Sequence, residues 1–343
     1  MQSLNYYVME KDLTHNFLIL GSNSFSGSSF ANTLLDQGFN VVGVSRQAEI
    51  SPPYSRYFGN ASLKNFTFIQ HDLNADPKKI VDLCKVHEIT VIVNFAAQSM
   101  VGESWKFPTH WYETNVVSLA RLVEALGLLG GEMPRFVQFT TPEVYGSTTG
   151  WIGESFNFSP TTPYAISRAA GDFHLKAMHQ SQNFPVIFTR AANVYGEHQR
   201  AYRIIPRAFI AALTKSKFPL HGGGHSERSF IHIDDVSEAL LRIAVQGVLG
   251  TSYHISTNEL VSIRTVVAKC AQMLGLRLED ICELSDDRLG KDAAYKLDSS
   301  KLRAELGWVD SIDLNEGLQR TLKWAEENLN KILDSEREYI HRR

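Results

Sequence analysis

The chain has 343 residues, enough for more than one small domain and a large buried core. Its 43% hydrophobic and 21% charged residues and its net charge of -3 exclude a dedicated polyanion or nucleic-acid binder. Cys84, Cys270 and Cys282 lack CxxC spacing, which excludes a zinc knuckle and a disulfide framework and fits a reducing compartment.

Residues 1–15 read as a polar extension without the apolar run of a signal peptide. No later run is long enough to span a bilayer, so the expected location is cytoplasmic. From residue 16 the chain alternates short apolar runs with amphipathic stretches. The runs FLIL at 17–20, VVGV at 41–44, FTFI at 66–69, TVIVNF at 90–95 and RFVQFT at 135–140 predict strands. They are rich in β-branched and aromatic residues and do not alternate, as strands buried on both faces should read. Helices are predicted near 27–37, 76–87, 108–128 and 161–181. Strand–helix–strand repetition gives an α/β fold, a Rossmann-type doubly wound parallel sheet.

After FPVIFTR at 184–190 the rhythm changes, with helices near 203–214, 235–246, 263–274 and 314–328 among irregular segments. The expected organisation is a dinucleotide-binding domain over 16–190 with a return segment near 229–255. A smaller, interleaved C-terminal domain over 191–330 caps it, and 331–343 is a second extension. The ending EYIHRR reads as a solvated basic tail.

Four stretches carry chemistry. LILGSNSFSGSSF joins the first strand to the first helix, and Gly21 and Gly27 allow a tight turn whose amides can approach a pyrophosphate. TTPEVYG runs off the fifth strand, where residues face a crevice at the carboxyl edge of the sheet. TPYAISRAA puts Tyr164 and Arg168 on one helical face. DRLGKDAAY, at 287–295, gathers Arg288, Gly290, Lys291, Asp292 and Tyr295.

These motifs, over about Asn16 to Glu327, resemble the extended short-chain dehydrogenase/reductase family, with Gly21, Ser24 and Gly27 on its G-x-x-G-x-x-G positions. The resemblance implies a nicotinamide dinucleotide held by this loop with Phe25, by Asp72 and Leu73, by Phe95, Ala96 and Ala97, and by Tyr164 and Arg168. Ser45 and Arg46 stand where an NAD-binding chain usually has an acidic residue, so NADP is the expected cofactor and NAD the alternative. Gln98, Thr141, Asn193, Arg228 and Arg288 fall on substrate-side positions, and the expected substrate is a nucleotide-diphosphate sugar.

In this family a hydroxyl at position 141 holds the substrate hydroxyl and Tyr164 takes its proton. The usual partner lysine is replaced by Arg168. A tyrosine near pKa ~10 needs a fall of about three units to act near neutrality, and a cation at ~5 Å supplies roughly two. TTPEVYG is similar to the T-D-E-V-Y-G of dTDP-glucose 4,6-dehydratases, keeping Thr141 and Glu143 and replacing the aspartate by Pro142. GDP-mannose 4,6-dehydratases also lack that aspartate, and AAQSMVGESW resembles their loop. The resemblance therefore implies a nucleotide-sugar 4,6-dehydratase acting through Thr141, Glu143, Tyr164 and Arg168. The alternatives are a 4-epimerase, a UDP-glucuronate decarboxylase-like enzyme or a non-catalytic cofactor-binding sensor. Family members commonly pair the helices near 108–128 and 161–181, so a homodimer is expected through faces that include Trp111, Val116, Leu119, Leu122, Val123 and Leu126.

Overall fold

The structure, a computed structural model, describes residues 15–285 and 296–342. Its centre is a parallel sheet of seven strands: β1 (Asn16–Leu20), β2 (Asn40–Ser45), β3 (Phe66–Gln70), β4 (Val91–Asn94), β5 (Arg135–Thr140), β6 (Val186–Ala191) and β7 (Ser252–Ile255). Their spatial order is β7-β6-β5-β4-β1-β2-β3, with every pairing parallel. The order reverses at β1, which pairs Leu20 with Val44 on one side and with Asn94 on the other. Such a switch point opens a crevice at the carboxyl ends of the strands.

Helices cover both faces because each strand buries alternate residues in opposite directions. Phe17, Ile19, Val41, Val93 and Val137 pack against α1 (Phe25–Asp36) on one face. Leu18, Leu20, Val42, Ile92 and Phe136 pack on the other against α2 (Lys78–Val86) and the helical run that follows β4. That run is not one regular helix. It comprises α3 (Pro108–Tyr112), a π-turn at Glu113–Val117, and α4 (Ser118–Leu126). Of the apolar residues expected to face a second subunit, Trp111, Leu119, Leu122, Val123 and Leu126 are buried in the chain's own interior. The exposed apolar residues here are Tyr112 and Val117, with Ile166 and Phe173 on α5 (Pro163–Gln182).

The second half forms its own core. Phe209, Val267, Leu318 and Ile332 from α6 (Ile204–Thr214), α8 (Ile263–Gln272) and α9 (Leu314–Leu333) pack together with Tyr195 of the short strand Asn193–Tyr195. Between these helices, α7 (Ile233–Gln246) returns to the sheet beside α1. Charges link the two cores: Asp234 at the start of α7 pairs with Arg56 and Arg320, and Arg320 also grips Glu197. Despite burial, the His232 contact and the Arg320 charge hold Glu197 well below the carboxylate range. No helix among the described residues is long and apolar enough to cross a membrane.

Residues 335–342 depart from the expected solvated tail. The His341 ring stacks on Phe107 and Trp111, with centroids 5.0 and 5.1 Å away, and Arg342 reaches the carboxyl edge of the sheet. Stacking anchors the segment at His341, while Glu336, Glu338, Ile340 and Arg342 stay exposed.

Candidate active site

The turn after β1 depends on two glycines. Gly21 has φ +83°, and a Cβ there would lie 2.8 Å from the Ala96 nitrogen. A Cβ on Gly27 would strike the Gly21 carbonyl oxygen. Ser24, in the place of the middle glycine, caps α1: its hydroxyl accepts from Gly27 N at 3.0 Å. Phe25 then opens the helix, and the first-turn amides form the positive end of a dipole suited to a phosphate group.

Ser45 and Arg46 flank this loop at the end of β2. The buried Ser45 hydroxyl accepts from Asn23 N at 2.9 Å, so it holds the loop in place. Arg46 donates to the Arg342 carbonyl at 3.2 Å. Beyond β3, Asp72 accepts from Asn74 N at 2.9 Å and the Leu73 carbonyl accepts from Ser118, so this edge is a hydrogen-bonded turn. Asn94 accepts from Ala96 N at 3.0 Å, bending the chain through Phe95, Ala96 and Ala97 across the crevice.

Thr141, Glu143, Tyr164 and Arg168 come together where β5 ends and α5 begins. Thr141 caps the short 3-10 turn Pro142–Tyr145 by accepting from Glu143 N at 3.2 Å. Pro142 fits there because the first position of a helical turn needs no N–H. Thr162 caps α5, accepting from Ala165 N at 3.1 Å, which fixes the entry of Tyr164. Burial raises the Tyr164 phenol above its ordinary value. The Arg168 charge, the Thr141 hydrogen bond and the Arg203 charge pull it down, and the Glu143 charge pushes it up. Desolvation wins, so in the free chain the phenol is protonated at neutral pH.

Arg168 is only 4% exposed. Its guanidinium donates to the Phe139 carbonyl of β5, and its Nε has no hydrogen-bond partner among the described residues. Its charge also stabilises the buried carboxylate of Asp172, against a larger desolvation effect that raises that group.

Two contributors carry no motif of their own. Asn115, inside the π-turn, accepts from Gln98 N at 2.9 Å and donates to Ser167 at 2.9 Å. It therefore ties the loop after β4 to the helix that bears Tyr164, as π-turns at functional sites often do. Arg203, just before α6, acts on Tyr164 through its charge alone. The only sequence signals were an asparagine inside an apolar helix and an arginine just before one.

On the substrate side, Asn193 N donates to the Ser229 carbonyl at 3.0 Å, bringing Asn193 beside Arg228. Arg228 is 8% exposed. Gln98 donates to the Arg342 carbonyl at 2.8 Å. Arg288, Gly290, Lys291, Asp292 and Tyr295 lie outside the described residues.

A doubly wound sheet of this order with a glycine turn after β1 defines the class of Rossmann-type folds. Within that class the chain belongs to the GDP-mannose 4,6-dehydratase family, whose model matches residues 18–321. It is 30% identical over 332 residues to a dTDP-glucose 4,6-dehydratase of Xanthomonas campestris, covering 90% of this chain and 92% of that protein. A dTDP-D-glucose 4,6-dehydratase of Bos taurus is 32% identical over 281 residues, covering 80% and 78%. Among solved structures, a double mutant of the dTDP-glucose 4,6-dehydratase of Streptomyces venezuelae with NAD bound has a TM-score of 0.83 at 28% identity, covering 92% and 98%. The enzyme from Bacillus anthracis, also with NAD, has a TM-score of 0.81 at 29% identity, covering 92% and 98%.

Proposed function

We propose that the chain is a nucleotide-sugar 4,6-dehydratase that converts a dTDP-glucose-like nucleotide-hexose to the 4-keto-6-deoxy sugar. The observation that carries this reading is that the Thr141 hydroxyl bonds the Tyr164 phenol while Glu143, two residues on, is near enough for its charge to act on that phenol. An epimerase needs the hydroxyl and the phenol but gains nothing from a carboxylate at 143.

The crevice fits a nicotinamide dinucleotide: the turn is tight, its helix is capped by Ser24, and both flanking strand ends carry polar side chains. Gly21, Ser24, Phe25 and Gly27 would hold its pyrophosphate, Asp72 and Leu73 its adenine, and Phe95, Ala96 and Ala97 its length. Tyr164 and Arg168 would meet its nicotinamide end. The finer assignment is NADP, because Arg46 brings a guanidinium and no carboxylate to the end of β2.

A bound dinucleotide would supply the hydride acceptor for carbon 4 and the hydride donor for carbon 6. Thr141 orients the carbon-4 hydroxyl and Tyr164 takes its proton, helped by the charges of Arg168 and Arg203. The resulting ketone acidifies the hydrogen on carbon 5. Glu143 removes that proton and hands it to the carbon-6 hydroxyl, which leaves as water; as hydride returns to carbon 6, carbon 5 takes a proton from solvent and Tyr164 releases the one it holds. One carboxyl then serves as base and acid, consistent with Pro142 having no ionisable group. Gln98, Asn193 and Arg228 would hold the sugar and the diphosphate, with Arg288 as a second cation. The test is incubation with dTDP-glucose, UDP-glucose and GDP-mannose and product mass measurement: one of them loses one water. Unchanged mass for all three rejects the reading.

We also propose a two-fold dimer. The support is the exposed pair Ile166 and Phe173 on α5 together with Tyr112 and Val117, apolar surface on two neighbouring helical segments. Sedimentation at micromolar concentration checks it, and a species of only the 38.5 kDa chain mass contradicts it.

A further inference from the structure

Segment 335–342 is anchored at points spread along its length. Ser335 meets the Tyr54 hydroxyl at 2.9 Å, and Glu338 pairs with Arg207 at 3.0 Å. Tyr339 meets the Tyr202 ring edge-on at 5.6 Å. The His341 ring lies nearly parallel to Phe107, His110 and Trp111, and its Nε2 is 2.8 Å from His110 Nδ1. The Gln47 amide, with its oxygen toward Arg342, accepts from that guanidinium at 2.8 and 3.2 Å. Glu336 takes another of its N–H groups at 2.9 Å.

The end point is the Arg342 carbonyl. It accepts from Gln98 Nε2 at 2.8 Å and from Arg46 at 3.2 Å. Gln98 follows β4 and Arg46 follows β2, and β1 runs between those two strands. Strands two places apart in a sheet are about 10 Å apart. A main-chain oxygen held from both sides therefore lies over the end of β1, above the turn from Gly21 to Gly27. A dinucleotide whose pyrophosphate rests on that turn has to pass through the same space.

We infer that residues 336–342 form a strap that closes the crevice and competes with the dinucleotide for it. This rests on the assignment of the crevice to a dinucleotide. The strap is bonded to Gln98 and Arg46, two of the groups assigned to the ligands. The Arg342 guanidinium is also held by Gln47, and the remaining anchors are on Phe107, His110, Trp111, Tyr202 and Arg207. Binding therefore lifts the Arg342 end from Gln98 and Arg46, and the aromatic anchors set how readily it lifts.

The test is calorimetric titration of NADP and of NAD into the full chain and into the double variant Tyr339→Ala, His341→Ala. Loss of two aromatic anchors is expected to tighten dinucleotide binding about tenfold. In the parent chain, tryptic cleavage after Arg337 and Arg342 is expected to be slow without dinucleotide and several-fold faster with saturating NADP. This second readout stands if the double variant fails to fold. Equal or weaker binding by a folded variant, or cleavage that slows on adding NADP, overturns the strap and leaves the crevice assignment standing. No binding of either dinucleotide to either chain overturns both.

Discussion

Arg168 on α5 donates to the main-chain carbonyl of Phe139 on β5, while its charge lowers the neighbouring Tyr164 phenol. One guanidinium thus fixes the helix to the strand and acts on the phenol. Lysine supplies the same charge from one ammonium, so Arg168→Lys should keep substantial activity. Arg168→Met removes the charge and should lower kcat by about 10²-fold. With the cation gone, Tyr164 ionises at higher pH, so the limb of the rate profile that rises with pH should move upward. Steady-state rates across pH check this. A methionine variant with the parent profile would show that the charge is not used.

Glu143 should separate the steps. In Glu143→Gln the Thr141–Tyr164 pair remains, so carbon-4 oxidation should persist while water loss falls by about 10²–10⁴-fold. Borodeuteride quenching followed by mass analysis counts carbonyls formed at carbon 4. Water loss at the parent rate would remove the carboxylate from the mechanism.

Arg46 should set cofactor choice. Arg46→Ala is expected to weaken NADP relative to NAD by about 1.5–3 kcal/mol, the worth of a charge-assisted contact, because the lost strap contact acts on both dinucleotides alike. Titration of both dinucleotides decides it. A parent chain that prefers NAD, with no change in the variant, would assign Arg46 to the surface.

His254 should make the fold acid-sensitive. It is fully buried, its Nδ1 faces the Asp298 carbonyl and so carries the proton, and its Nε2 is 2.8 Å from the Tyr145 hydroxyl. Burial, with the nearby Arg190 charge, pushes it down to about 3. The unfolded chain, with an imidazole near ~6.5, binds the proton first between those values, so stability falls as pH drops through that window. Between pH 7 and 4.5 the loss from this residue is about 2–3 kcal/mol. Urea midpoints of the parent and His254→Gln test it. The variant should lose less stability over that range, and parallel curves would refute the assignment.

The first five strands of the sheet were legible because they are short β-branched and aromatic runs, mostly buried on both faces. The proposed catalytic cluster could be drawn from the sequence because Thr141, Glu143 and the Tyr164–Arg168 spacing lie in short stretches that carry the family resemblance. Contributions that depend on distant partners were not. Asn115 matters through Gln98 and Ser167, and no periodicity marks the π-turn that holds it. Arg203 acts on Tyr164 only after the second half folds back. The burial of Trp111, Leu119 and Leu122 also required tertiary packing, since an amphipathic stripe reads the same against a sheet as against a second subunit. Residues 335–342 look like a charged tail because their stacking partners lie far away in sequence.

The central claim is tested most directly with dTDP-glucose carrying deuterium on carbon 4, turned over in ordinary water and read by mass spectrometry and proton NMR. The account predicts a product lighter by one water, with the deuterium moved to carbon 6 of the same molecule and a solvent hydrogen on carbon 5. A product of unchanged mass that keeps its deuterium on carbon 4 would contradict it and mark the chain as an epimerase.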